Sequence, residues 1–390
     1  MQKNYLRLNF PGCSHVGQGA IEVLGEEAAS RGSSAMLVTG RTALKKAGIT
    51  DRLVGLLEDA GLSVAVFDRV PPEPEIDIVD ELRRAIRSEG CDIVVEAGGG
   101  SVMDVGKAAA ALAREKLKTR KYHTGEPVTT EGLPHIAVAT TSGTGSEVTR
   151  VSVLIDHSRD VKKSMRTPGI MPDVSITDPE LTVSCPPSVT AASGMDAYVQ
   201  AVESYFSRHA IPVTEALSLH AAGLIVRNLR RVWEDGEDIE ARSAVAQGSY
   251  MAGLALGSAR LGAVHGLAHP IGLLYDLPHG VVCGMLMPAV LRLNRQSVPD
   301  KYDALRQELG GDPVRVTNAL LRDTEVPRSL SSYPDDDGEE LIINYALGSG
   351  SSKANPVPVT REYVREVLTE LTETDEPPEA EPGGDEDVLE

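Results

Sequence analysis

The sequence predicts an α/β N-terminal domain on a mainly parallel sheet, followed by an all-α C-terminal domain. Three observations carry that expectation. Short apolar strands alternate with amphipathic helices through the first half of the chain, the rhythm of crossover units in a parallel sheet. Two of those strands run directly into loops dense in Gly, Ser and Thr. From residue 186 onward strand signals stop and helical periodicity takes over.

Size and composition frame the rest. At 390 residues the chain exceeds one ordinary core, and 41% apolar residues with scattered Gly and Pro suit a globular protein. There is no apolar run of bilayer length and no charged-then-apolar leader over residues 1–20, so no membrane role is expected. Cys13, Cys91, Cys185 and Cys283 are isolated in sequence, which suits reduced thiols and a cytoplasmic location. The net charge of −19 argues against nucleic acid as a partner. Only 11 of the 38 basic residues are Lys, a composition that suggests a salt-adapted host. Residues 373–390, rich in Asp, Glu, Pro and Gly, are expected to be a solvated, disordered tail.

Residues 4–10 read as an opening strand or hairpin and 20–31 as a helix. Strands at 35–39, 63–67 and 92–96 follow, with helices at 42–60 (interrupted near Gly48), 76–88 and 101–114. The third of these strands ends in Gly98-Gly99-Gly100-Ser101, with Asp104 and Lys107 about one and two turns on. Three glycines let backbone N–H groups approach an anion, and the new helix adds its dipole, which suits a pyrophosphate. The loop is neither a Walker A motif nor G-x-G-x-x-G. A strand at 136–139 runs into Thr140-Thr141-Ser142-Gly143-Thr144-Gly145-Ser146-Glu147, a second polar cradle. Two cradles at strand ends of one sheet fit a dinucleotide better than a lone phosphate. A hairpin over 148–155 and 161–166 comes next, and a strand at 174–177 is expected to close the sheet.

In the second half a long helix is expected over 188–207, with Ser188 as N-cap and Asp196 and Gln200 four apart on one face, Glu203 near the same stripe. Further helices are expected at 213–227, 238–255, 284–296, 300–308, 313–321 and 362–371. The stretch GAVHGLAHPIGLLYDLPHG (262–280) holds three of the nine histidines, His265, His269 and His279. Spacing alone pairs His265 with His269 on one helical face, while His279, after Leu-Pro, marks the start of a new element. Imidazole is the commonest metal ligand, so this stretch points to a metal-centred active site.

The signatures GGGSVMDVGK (98–107), TTSGTGSEVT (140–149), PDVSITDPELT (172–182), SGMDAYVQAVESY (193–205) and the histidine stretch together resemble the iron-containing, or group III, alcohol dehydrogenases. The resemblance covers roughly residues 1–370. It implies a dehydroquinate synthase-like architecture: a dinucleotide-binding domain over 1–184 and a helical catalytic domain over 185–372, with the active site in the cleft between them. It places the ligands of a divalent metal, Fe2+ first with Zn2+ or Mn2+ as alternatives, on Asp196, Gln200, His265 and His279. His269 is assigned to the proton path. The family usually has His where this chain has Gln200, and an amide oxygen is a harder, weaker donor than imidazole.

For the cofactor, the resemblance places the pyrophosphate on Gly98, Gly99, Gly100 and Ser101, with Asp104 counted in the same motif. The nicotinamide end falls near Thr140, Thr141 and Thr144, and Lys162 reaches the ribose. Gly40-Arg41, with Lys45 and Lys46 following, stands where an acid would repel a 2′-phosphate. That favours NADP over NAD.

The implied reaction is reversible hydride transfer between a small alcohol or aldehyde and the nicotinamide, in a homodimer or larger oligomer. Leu261, Leu267, Ile271 and Leu274 are expected to line the pocket. Two alternatives share the fold: a metal-independent reductase of the maleylacetate type, favoured by Gln200, and a dehydroquinate synthase-like lyase. The absence of Lys and Arg between 261 and 291 counts against the lyase.

Overall fold

The computed structural model describes residues 8–159 and 161–372. The strands are β1 (Cys13–Val16), β2 (Ser34–Gly40), β3 (Ser63–Val70), β4 (Ile93–Gly98), β5 (His135–Ala139), β6 (Ser152–Asp156), β7 (Val161–Met165) and β8 (Val174–Thr177). Six form one sheet in the order β1-β8-β5-β4-β2-β3, with every pairing parallel. β6 and β7 form a separate antiparallel hairpin. Between the strands lie α1 (Leu24–Ala29), α2 (Ala43–Lys46), α3 (Ile49–Asp59), α4 (Ile76–Glu89), α5 (Gly100–Leu112) and α6 (Thr119–His123). β4 and β5 are buried at every position, as strands covered on both faces must be, which is why they read as apolar runs rather than alternating ones. One face packs on α4 and α5 through Val79, Leu82, Val105 and Ala109, the other on α1 and α3 through Leu24, Leu53 and Leu57.

The strand order decides where a ligand can sit. From β2 the chain moves outward to β3, then returns to β4 on the other side of β2 and proceeds the opposite way through β5. The crevice at such a reversal, beyond the carboxyl ends of the two strands, is where parallel sheets bind ligands. Gly40 ends β2 and Gly98 ends β4.

All later elements are helical: α7 (Pro187–Phe206), α8 (Pro212–Glu234), α9 (Ile239–Ala259), α10 (Ala263–Tyr275), α11 (His279–Asn294), α12 (Pro299–Leu309), α13 (Pro313–Asp323), α14 (Asp336–Gly348) and α15 (Arg361–Thr372). α7 is the central rod, with its residues from Gly194 to Phe206 buried without a break. The fold is thus a six-stranded parallel α/β domain followed by an all-helical one. No helix among the described residues is long and apolar enough to cross a membrane.

Several expectations are corrected. Among the described residues the first strand is Cys13–Val16, where pairing begins with Cys13 N donating to Asp173 O after the Pro11-Gly12 step. Residues 8–10 are outside any strand, and 4–7 lie outside the described residues, as does the tail at 373–390. β8 does not close the sheet. It lies between β5 and β1, and its four buried residues have a partner on each side. Ser188 is not an N-cap, since α7 starts at Pro187 with Pro186 before it, and proline's fixed φ and missing N–H suit the first helical position. The sequence reading missed α6 and α14.

Candidate active site

The two cradles meet at the crevice. α5 begins at Gly100, so its first turn points its N–H groups at the carboxyl edge of the sheet. A Cβ on Gly100 would lie 2.8 Å from the Thr144 methyl and one on Gly99 3.3 Å from Thr141 Oγ1; the glycines let the second cradle close on the first. Ser101, Thr141 and Thr144 are half-buried and Thr140 buried, its N–H donating to Gly98 O. Gly40 lies across the crevice with open space at its Cβ (nearest atoms 3.8 Å and 3.9 Å away), so an acid would fit there and none is present. Arg41, Lys45 and Lys46 beside it are exposed.

Asp104 Oδ1 accepts from Ser146 Oγ at 2.8 Å and its Oδ2 from Val153 N at 2.9 Å, so both oxygens are engaged by the second cradle and the hairpin. Lys107 completes this support. It is fully buried, and Nζ donates to Ser146 O at 2.8 Å, Ser146 Oγ at 2.6 Å and Val151 O at 2.5 Å. Burial pushes the nearby Glu147 up to about 7, against the pull of Lys107. In the structure Asp104 thus braces the second cradle and the hairpin. Lys162, on β7, pairs with Glu73 rather than standing free, and its charge is felt by His269.

The metal candidates converge from three helices. Asp196 on α7 faces His265 on α10, with Oδ1 3.2 Å from Nε2, and His279 on α11, 3.8 Å from Nε2. Gly280 makes this possible, since a Cβ there would sit 2.0 Å from Ala192 O; only glycine lets α11 begin against α7. His279 is the first residue of α11, as the Leu-Pro step implied. Gln200 lies one turn after Asp196. Against the effect of burial, His265, then His279 and last the Gln200 amide N–H hold the Asp196 carboxyl below its usual range. Gln200 Oε1 is buried with no partner. The donor atoms of Asp196, His265 and His279 lie within 4.8 Å of one another, a carboxylate and two imidazoles converging on one point. The residues present fit a divalent metal.

Glu203, one turn further along α7, went without a role in the sequence reading. Its Oε1 accepts from Val264 N at 2.6 Å and its Oε2 from His265 Nδ1 at 2.7 Å. That keeps Nδ1 protonated and makes Nε2, which pairs with Asp196 at 3.2 Å, the nitrogen that a cation would take in place of its proton. The seven-residue spacing from Asp196 was the available signal. Glu203→Gln presents an amide to Nδ1 and loosens this control, so metal affinity should fall by about 10–100-fold. Chelator competition reads this directly, and an unchanged affinity contradicts it.

His269 stacks on His279, with centroids 4.9 Å apart and planes at 23°. Burial, then the charges of His279, Lys162 and His265, pushes it well below its usual range, so it is a neutral imidazole. Of the expected pocket wall, Leu267 and Ile271 are instead buried in the helical core and Leu274 is 42% exposed. They lie away from the histidine face of α10, and Leu261, before α10, is half-buried. Gly145, at φ +60°, brings the second cradle onto α9, where its Cβ would lie 2.5 Å from Gly253 Cα and 3.7 Å from Gln200 Oε1. Cradle and metal residues thus share one cleft.

A switch-point crevice with paired glycine and threonine loops, opening onto buried carboxylate and imidazole donors, defines a nicotinamide-linked, metal-dependent oxidoreductase. The iron-containing alcohol dehydrogenase profile matches residues 11–179, and the profile for the C-terminal part of the Fe-containing alcohol dehydrogenase family matches 190–372. The chain belongs to the iron-containing alcohol dehydrogenase family and is an NAD(P)-linked alcohol dehydrogenase acting on CH–OH groups. It is 41% identical over 362 residues to the 1,3-propanediol dehydrogenase of Klebsiella pneumoniae, covering 89% of this chain and 93% of that one. It is 36% identical over 301 residues to the NAD-dependent methanol dehydrogenase of Bacillus methanolicus, covering 77% and 79%. A crystal structure of 1,3-propanediol oxidoreductase superposes with a TM-score of 0.90 at 35% identity, covering 94% of this chain and all of that one. Sulfoacetaldehyde reductase from Bifidobacterium kashiwanohense, solved with NAD+, gives 0.89 at 29%, covering 95% and 100%.

Proposed function

We propose that the chain interconverts small primary alcohols or diols and their aldehydes, using NADP in preference to NAD and Fe2+ as the divalent metal, with Zn2+ or Mn2+ as alternatives. Asp196, Gln200, His265 and His279 hold the metal, and the pyrophosphate lies on Gly98, Gly99, Gly100 and Ser101. The nicotinamide lies toward Thr140, Thr141 and Thr144, with Lys162 at the ribose side and Gly40-Arg41 at the adenosine end. The domain boundary falls near 184/185. A homodimer or larger assembly in the cytoplasm belongs to the same reading, the four cysteines being free thiols. The observation that carries the metal-dependent reading is the convergence of Asp196, His265 and His279 from three helices, with donor atoms within 4.8 Å of one another. A metal-independent reductase would have no use for that arrangement.

When bound, the metal supplies Lewis acidity to the substrate oxygen and the nicotinamide takes or gives the hydride. The chain does the rest. Asp196 is the only carboxylate in the four-residue set, and Glu203 sets the His265 tautomer. His269, neutral beside His279, passes the hydroxyl proton through its ring nitrogens, accepting at one and releasing from the other. Asp104 and Lys107 fix the cradle against which the nicotinamide is oriented.

Small aldehydes offered with NADPH or NADH, before and after chelation with confirmed metal removal, test the reading. We expect turnover to be lost on chelation, restored by added divalent metal, and faster with NADPH. Full turnover in the metal-free protein sinks the Lewis-acid role, and a preference for NADH sinks the argument from Gly40 and Arg41.

A further inference from the structure

Cys283 stands alone in the sequence, yet it is one of the metal donors the fold assembles. It is fully buried on α11, one turn after His279 and on the same face. Its Sγ lies 3.5 Å from His279 Nε2 and 3.9 Å from His265 Nε2. Asp196 completes the figure, 3.2 Å and 3.8 Å from the same two nitrogens. The ligand atoms of Asp196, His265, His279 and Cys283 all lie within 4.8 Å of one another.

The four carboxylate- and sulfur-to-imidazole separations, 3.2–3.9 Å, are close to the edge lengths of a coordination tetrahedron. Bonds of about 2.0–2.3 Å at tetrahedral angles put donor atoms about 3.3–3.6 Å apart, whereas right angles at about 2.1 Å in an octahedron give about 3.0 Å. The measured values centre on the first. We propose that Cys283 is a metal ligand in this chain. Its thiolate would supply a strong fourth donor beside Asp196, His265 and His279.

The consequence is metal choice. On coordination the thiol proton leaves to solvent, and Asp196 and Cys283 together neutralise a dication that Asp196 alone would only half balance. A sulfur donor favours Zn2+ and Co2+ over Mn2+ and Mg2+. Between the two alternatives to Fe2+, the donor set therefore favours Zn2+ over Mn2+.

The inference rests on the metal-centre reading, and one experiment separates the two. The metal-free full chain is titrated with Co2+ and followed by absorption. We expect visible d–d bands of tetrahedral intensity together with a near-ultraviolet thiolate-to-cobalt charge-transfer band. Cys283→Ser should lose the charge-transfer band, keep bound Co2+, and show at least a tenfold loss of Zn2+ affinity with Mn2+ affinity unchanged. The triple change Cys13→Ser, Cys91→Ser, Cys185→Ser should keep the band. Bound Co2+ without a charge-transfer band in the unaltered chain overturns the proposal while leaving the metal centre intact, whatever the folding of any variant. Failure to bind Co2+ at all overturns both.

Discussion

Asp196→Ala is expected to lower kcat/KM by about 10³-fold, close to 4 kcal/mol at about 1.4 kcal/mol per tenfold, the scale of charge stabilisation a Lewis acid supplies. The carboxylate is buried where three helices meet, 3.2 Å from one candidate imidazole and 3.8 Å from the other. Without it, His265 and His279 face each other with no carboxylate between them, and a dication loses its one oxygen anion. Coenzyme binding provides the control. The cradles at Gly98–Ser101 and Thr140–Thr144 are tied to the sheet by Asp104 and Lys107, not by Asp196, so fluorescence titration with reduced coenzyme should give an unchanged Kd. A variant with unaltered kcat/KM removes Asp196 from the active site.

Lys107→Met should destabilise the α/β domain by about 3–5 kcal/mol, the usual consequence of removing one partner from a buried ionic network. Lys107 is fully buried with Asp104 3.5 Å away, and its ammonium group donates to four further oxygens, Ser146 O, Ser146 Oγ, Thr149 O and Val151 O. Methionine fills the volume but removes the donor to the Val151 carbonyl and leaves Asp104 without its cation. Calorimetry should place the thermal midpoint of that domain about 10 °C lower, at roughly 2–4 °C per kcal/mol. A shift under about 1 °C would mean the network contributes little.

Much of the fold was legible because local chemistry dictated it. Apolar runs over β2, β4 and β5, punctuated by Gly98 and Thr140, could only be strands ending in loops, and Leu277-Pro278 before His279 could only interrupt a helix. The strand at Cys13–Val16 was missed because the apolar residues at 4–10 outweigh the short CSHV segment, whose pairing depends on β8, distant in sequence. Asp104 was read with the cofactor motif because it follows the glycine loop. Only the fold shows its oxygens taken by Ser146 and Val153. Leu267, Ile271 and Leu274 looked like a pocket wall through proximity to the histidines, but a helix turns neighbouring residues to different sides.

The sequence by itself determined the α/β-then-helical order, the two cradles, the family, and the histidine stretch as the centre of the chemistry. Those properties are written in residues close together along the chain, where spacing and side-chain type carry the physics. Tertiary structure alone decided which side chains share the site. Glu203 reaches His265 across 62 positions, and Cys283, solitary in the sequence, joins Asp196 and the two histidines because Gly280 lets α11 start against α7. Contacts between helices distant in sequence depend on packing, and no local pattern encodes them.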